Sequence, residues 1–274
     1  MKPLNIIYIH SHDTGRYIQP YGHNIDTPNM QQLAEEGVLF RKTFCAGPTC
    51  SPSRAGLLTG QWPHCVGMLG LAHRGFKLND YSQHLSAFLN RNGYHTALAG
   101  FQHEASGKFA PPFEVLTYDR FSEREADNPE KLERQDWAAN FIKQDHDKPF
   151  FLSVGFFETH REFPKEPDPR DDPRYALPPT PLPDNEQTRY DMACFKSMAR
   201  TLDEKMGVVF KAVKDAGIED NTLIICTTDH GIAYPHMKCS LTDHGIGVML
   251  IIKGPHGFSG GKVCDAMVSQ IDLF

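Results

Sequence analysis

No apolar run in this sequence approaches the roughly 20 residues needed to cross a bilayer, so no membrane partner is expected. Cys-x-x-Cys pairs are missing. The seven cysteines (Cys45, Cys50, Cys65, Cys194, Cys226, Cys239 and Cys264) are odd in number and scattered, which argues against a disulfide framework and leaves at least one free thiol. Positive charge is in the minority: Lys plus Arg number 28 against 34 Asp plus Glu, a net charge of −6. No global basic field therefore gathers nucleic acid or an anionic membrane, and any anionic substrate must be held locally. No Asn-x-Ser/Thr acceptor occurs. The opening Met1-Lys2-Pro3, followed by Leu4-Asn5-Ile6-Ile7-Tyr8-Ile9, is too short for a signal h-region and lacks a small-residue cleavage site. The expected location is the cytoplasm. Internal repeats and low-complexity tracts are also lacking.

What is present suffices for a packed core: 274 residues, 40% hydrophobic and 11% aromatic, make one large domain or two small ones. Short apolar runs alternate with longer helix-period segments, the pattern of a βα-alternating domain with a largely parallel sheet. The predicted strands are Asn5–Ile9, Val38–Thr43, His95–Ala99, Phe150–Gly155, Thr222–Thr227 and Val248–Ile252. Thr27 and Pro28 open a helix that Gly37 stops, and Leu85, Phe88 and Leu89 mark another ending at Gly93. A long amphipathic helix is expected from Glu186 to Ala216, closed by Gly217. Phe163 to Pro183 carries eight of the twenty prolines among charges, so residues 163–184 are expected as an ordered surface excursion, either a connector or a substrate-facing lid. Val268 to Phe274 reads as the start of a helix without a stop.

Ligands collect beyond the carboxyl ends of the strands in an open parallel sheet. Two such positions match in kind. The first strand is followed by His10-Ser11-His12-Asp13-Thr14-Gly15, and the Ile224–Thr228 strand by Asp229-His230-Gly231. Each delivers an adjacent carboxylate and imidazole, a set that suits a divalent cation. A third feature is Cys50-Ser51-Pro52-Ser53-Arg54, followed by Ala55-Gly56-Leu57-Leu58-Thr59-Gly60. Ser51 suits an N-cap, Pro52 the first helical position and Gly60 the stop, so Cys50 is expected at the amino end of a short helix, where backbone N–H groups favour an anion. Arg54, one turn on, supplies a fixed fork of donors. His236-Met237-Lys238-Cys239 with His244 matches no frequent zinc spacing, and Ser259-Gly260-Gly261-Lys262 reads as a surface turn.

Cys-x-Pro-Ser-Arg followed by Ala-x-Leu-Leu-Thr-Gly resembles the signature of the type I sulfatases, within the alkaline-phosphatase superfamily. From average residue usage the five-residue core arises by chance on the order of 10⁻³ times per chain of this size. Further landmarks fall in order: Asn5–Gly15, Gly100–His103, Phe157–His160, Asp229-His230-Gly231 and Lys238. Within the family, Leu58 to Leu71 and Glu158-Thr159-His160-Arg161 are similar to heparan N-sulfatases (sulfamidases). The resemblance implies a three-layer αβα fold over residues 1–274 as the catalytic domain, followed in the family by a smaller domain to which nothing here corresponds.

It also implies that a separate formylglycine-generating enzyme oxidises Cys50 to Cα-formylglycine, whose hydrate attacks sulfur before the second hydroxyl expels sulfate. Arg54 would hold the formylglycine oxygen and His103 would serve it as base or hydrogen-bond partner. His160 would protonate the leaving group or bind sulfate, and Lys238 would span sulfate and leaving oxygen. His64 falls near the site by the same pattern, with a structural role as the alternative, and Arg161 either reads a substrate anion or is solvated. The implied metal ligands are His12, Asp13, Asp229 and His230 around residue 50.

Two positions depart from the pattern. His12 stands where the family presents a first acid and His230 where many relatives have Asn, so manganese or zinc competes with the calcium that the family implies. Phe101 replaces the lysine of the Gly-Lys-x-His element, with Lys108 as a substitute from the following loop. The expected activity is hydrolysis of a sulfate ester or sulfamate on a small sulfated saccharide. The alternatives are a phosphonate or phosphate ester hydrolase on the same scaffold, or an inactive metal-binding remnant.

Overall fold

A computed structural model describes residues 3–123 and 132–274. Its elements, in chain order, are β1 (Asn5–Ser11), α1 (Pro28–Glu36), β2 (Val38–Phe44), α2 (Cys50–Thr59), α3 (Pro63–Val66), α4 (Leu85–Arg91), β3 (His95–Gly100), α5 (Pro112–Val115) and β4 (Arg120–Phe121). They continue with α6 (Arg134–Ile142), β5 (Phe150–Gly155), α7 (Glu186–Asp215), β6 (Thr222–Thr228), α8 (Asp243–Ile246), β7 (Gly247–Val248), β8 (Leu250–Lys253) and β9 (Lys262–Ser269). The nine strands form one sheet in the order β4-β3-β5-β1-β6-β8-β2-β7, with β9 on the other edge of β2.

Strands β4, β3, β5, β1 and β6 run parallel, while β8 pairs antiparallel with both β6 and β2. Side chains alternate across the sheet as a period of two demands. Ile7, Ile9, Leu152 and Val154 pack with Met30 and Leu33 of α1, Phe141 of α6 and Leu202, Met206 and Val209 of α7. On the opposite face, Tyr8, Leu98, Phe151 and Ile225 pack with Leu57 and Leu58 of α2 and Leu89 of α4. The result is the three-layer αβα arrangement; five of the six predicted strands are found in it as single strands, while Val248–Ile252 is broken at Met249 into β7 and β8.

Helix α7 starts where Asn185 and Thr188 form a reciprocal capping box, and Gly217 follows its end at φ +65°. The proline-rich stretch is irregular apart from a turn at Pro173–Tyr175, and it is tied to α7. Arg200 donates to both oxygens of Asp171 at 2.8 Å, and Ser197 Oγ donates to the same carboxylate at 2.9 Å.

Two expectations fail locally. Val268–Phe274 does not open an α-helix: Lys262–Ser269 is a strand paired with the outer edge of β2, followed by a 3₁₀ turn at Gln270–Leu273 that Ser269 caps. Gln270 anchors that turn, its buried amide donating to Thr227 Oγ1 at 2.8 Å and to the Thr228 carbonyl at 2.7 Å. Nor does Ser51 cap α2. Thr49 holds the cap position, and Ser51 Oγ instead accepts from the Ala72 amide at 3.0 Å.

Candidate active site

The carboxyl ends of β3, β5, β1 and β6 lie side by side, so the residues leaving them converge. Gly155 makes this close approach possible, because a Cβ there would stand 1.8 Å from the Phe101 carbonyl and 2.7 Å from the His10 ring. Helix α2, buried along its whole length, brings Cys50 to the same place.

Ligand atoms of His12, Asp13, Cys50, Asp229 and His230 all lie within 4.8 Å of one another, and all five residues are buried. Asp229 is the centre of this group. Its Oδ1 accepts from the backbone amides of Asp13 and His230, both at 2.9 Å, while Oδ2 lies 3.0 Å from His12 Nδ1 and 3.0 Å from an Arg54 donor. Asp13 Oδ1 lies 2.7 Å from His12 Nδ1 and 3.0 Å from His230 Nε2, and its Oδ2 accepts from Lys238 Nζ at 2.7 Å. Cys50 Sγ is 3.4 Å from His230 Nε2 and 3.9 Å from His12 Nδ1.

The charges of this pocket are strongly coupled. Burial alone would raise the Asp13 and Asp229 carboxyls, but the imidazoles, and Arg54 beside Asp229, hold both below the usual range. Burial likewise opposes charge on His12, yet Asp229 and the hydrogen bond to Asp13 push it up to about 10. For Cys50, burial is outweighed by the imidazoles of His103, His12 and His230 around it, which bring the thiol down to about 4. The pocket therefore selects positive charge at its centre. A divalent cation meets that demand, and the donor set fits one. Nδ1 of His230 donates to the Gly231 carbonyl at 2.9 Å, which leaves Nε2 as its basic nitrogen toward the carboxylates.

Arg54 is 1% exposed, and its hydrogen bonds are made to His10, Ser11 and Asp229 rather than to residue 50. The guanidinium donates to Asp229, to the Ser11 carbonyl at 3.0 Å and to His10 Nδ1 at 2.6 Å. His10, kept neutral by burial and by Arg54, is thus the acceptor that completes this clamp. The sequence reading gave it no role.

A family model described as Sulfatase matches residues 4–274. The chain belongs to the sulfatase family. Among its relatives, human N-sulphoglucosamine sulphohydrolase is 28% identical over 300 residues, an alignment covering 99% of this chain and 59% of that protein. The chain therefore spans about three fifths of that relative's length. A protein solved in complex with its substrate D-glucosamine-2-N,6-O-disulfate superposes with a TM-score of 0.76 at 19% identity, covering 99% of this chain and 75% of the other. A phosphonate monoester hydrolase of Agrobacterium radiobacter superposes at 0.69 and 20% identity, covering 99% and 72%. Two solved neighbours of different named chemistry thus share this fold.

Around the sulfatase pocket the remaining expected residues divide. Lys238 is in contact with it. His160 lies at its open side, with Nε2 3.9 Å from Asp13 Oδ2 and Nδ1 donating to the Arg161 carbonyl. His103 approaches Cys50 from the loop after β3. Arg161 is turned elsewhere: it pairs with Asp191 at 2.5 Å, donates to the Ala233 carbonyl at 2.9 Å and lies over the Phe163 and Tyr234 rings. His64 is exposed on α3. Lys108, the suggested substitute for the missing lysine, is exposed with Nζ over the Phe109 ring, while Phe101 packs against His12, His103 and Phe157. Among the described residues, no helix is long and apolar enough to cross a membrane.

Proposed function

We propose that this chain is the catalytic part of a sulfatase that hydrolyses a sulfate ester or sulfamate of a small saccharide. The observation that carries the reading is the convergence of four buried metal-type ligands on Cys50 at the first position of α2. When bound, a divalent ion would polarise the sulfate oxygens, and an aldehyde hydrate at residue 50, made by a formylglycine-generating enzyme, would supply the attacking hydroxyl.

The rest falls to this chain's own residues. His12, Asp13, Asp229 and His230 hold the ion, with Arg54 fixing Asp229 from behind. Backbone N–H groups at the start of α2 face the anion. Lys238, partly exposed beside Asp13, binds a sulfate oxygen and the leaving atom. His103 serves residue 50. His160, half-buried, keeps Nδ1–H on the Arg161 carbonyl and turns Nε2 to the leaving group, to which it delivers a proton when the ring is in its imidazolium form. Two imidazoles beside two carboxylates suit manganese or zinc as well as calcium, a choice that elemental analysis of purified protein decides. All seven cysteines are free, which fits the reducing cytoplasm. Fractionation of native cells tests that placement.

The deciding experiment combines mass spectrometry across Cys50, after expression with a formylglycine-generating enzyme, with parallel rates on sulfate, sulfamate and phosphonate esters. Conversion of the thiol to the aldehyde and preferential turnover of a sulfate or sulfamate are expected. A thiol that persists in the native host supports the inactive remnant, and a large phosphonate preference supports the phosphonate hydrolase.

A further inference from the structure

His103 must keep one nitrogen beside residue 50, yet it sits in an irregular loop. Phe101, standing where a lysine is expected, touches the His103 ring at 5.5 Å and 64° but offers it no hydrogen bond. The bond comes from elsewhere. Nε2 of His103 lies 2.9 Å from Nδ1 of His73, and the two rings are within 7° of parallel with centroids 5.1 Å apart. That is the geometry of an in-plane hydrogen bond between imidazoles. Nδ1 of His103 is buried and has no hydrogen-bond partner among the described residues, so it is the nitrogen left for residue 50. His73 belongs to a 3₁₀ turn, Ala72–Arg74, whose first amide donates to Ser51 Oγ. The turn is thereby registered to the residue that follows Cys50.

We propose that His73 is a positioning residue: its hydrogen bond to Nε2 selects the ring orientation and tautomer that present Nδ1 of His103 to residue 50. A ring flip of His103 would put a carbon where Nδ1 stands. Phe101 packs against either orientation, whereas His73 satisfies only one. The catalytic consequence rests on the sulfatase reading, while the orientation itself does not. His73 is exposed, so replacing it removes the bond without opening the core.

The test uses the whole chain, matured with a formylglycine-generating enzyme, as wild type, His73→Ala and His73→Asn, with 4-nitrophenyl sulfate as probe. Asn places a polar atom near the position of Nδ1. His73→Ala is expected to lower kcat by about 10–100-fold, the usual effect of losing a partner that orients a working ligand, with KM unchanged. His73→Asn is expected to recover most of that loss. Side-chain ¹⁵N NMR is expected to show one His103 tautomer in wild type and Asn variant and a mixture in the Ala variant. Wild-type kcat in His73→Ala, a loss confined to KM, an Asn variant no better than Ala, or an unchanged His103 spectrum would each overturn the proposal. If the wild type leaves the ester intact while the spectra change as expected, the sulfatase reading fails and the positioning role stands.

Discussion

The floor and the rim of this site are built from different material. The floor, His12, Asp13, Asp229 and His230, is buried and leaves adjacent parallel strands at the tips of β1 and β6. Hydrogen bonds of 3.0 Å or less knit it together, and the buried Arg54 clamps it from behind. The rim hangs from loops: the side chains of Lys238 and His160 are 23% and 30% exposed, Lys238 meeting the floor through Asp13 and His160 through Asp13 and the edge of the His12 ring. Backbone pairing fixes the first group. The second can be re-aimed by loop changes without disturbing the sheet, so chemistry and substrate preference are expected to vary there.

Asp229→Asn should show the largest effect. Losing one carboxylate of the floor is expected to cost about 10³-fold or more in kcat/KM, since Lewis-acid stabilisation supplies several kcal/mol. The same change leaves the Arg54 charge buried without its partner, which costs about 3–5 kcal/mol of stability. Steady-state kinetics and thermal unfolding check both, and an active, stable variant would remove the floor from the reaction.

Lys238→Met and His160→Asn should each lower kcat by about 10²–10⁴-fold while leaving Tm almost unmoved. A melting loss as large as that of Asp229→Asn would erase the distinction between floor and rim.

A third effect is pH-linked. In metal-free protein the His12 pKa is raised from 6.5 to about 10. A raised pKa contributes stability that is fully present below 6.5 and is lost as pH rises through 10. Chelator-treated protein should therefore melt at a lower temperature at pH 10 than at pH 7. Metal uptake should release protons and tighten with rising pH across that window, as titration calorimetry in buffers of different ionisation enthalpy would show. Absence of proton release would mean that His12 is no ligand. The smallest change is expected of His64→Ala, with kcat/KM retained and stability within about 0.5 kcal/mol of wild type.

The floor was legible because strand tips are where a parallel sheet collects ligands, and both pairs follow unmistakable apolar runs. Helix α7 was legible from its period and its closing glycine. Strand β9 was not, because an edge strand with Val263 and Met267 exposed shows no apolar alternation toward a core. The cap of α2 was misplaced by one good rule meeting another: Ser51 is a favourable cap residue, but a turn some 20 residues downstream takes its hydroxyl. His10 and His73 could not be assigned from spacing at all. One works through Arg54 and the other lies 30 positions from its partner, and neither relation leaves a periodic trace in the chain.

The burial of α2 imposes a schedule on the life of the molecule. Cys50, Ser51, Ser53 and Arg54 are each at most 2% exposed, and Pro52 between them is buried, once the sheet has closed over the segment. A maturation enzyme that grips this segment as an extended peptide finds nothing to grip on the finished protein. If residue 50 is matured as proposed, conversion has to come first, on the nascent or unfolded polypeptide, and a copy that folds too early would keep its thiol sealed inside.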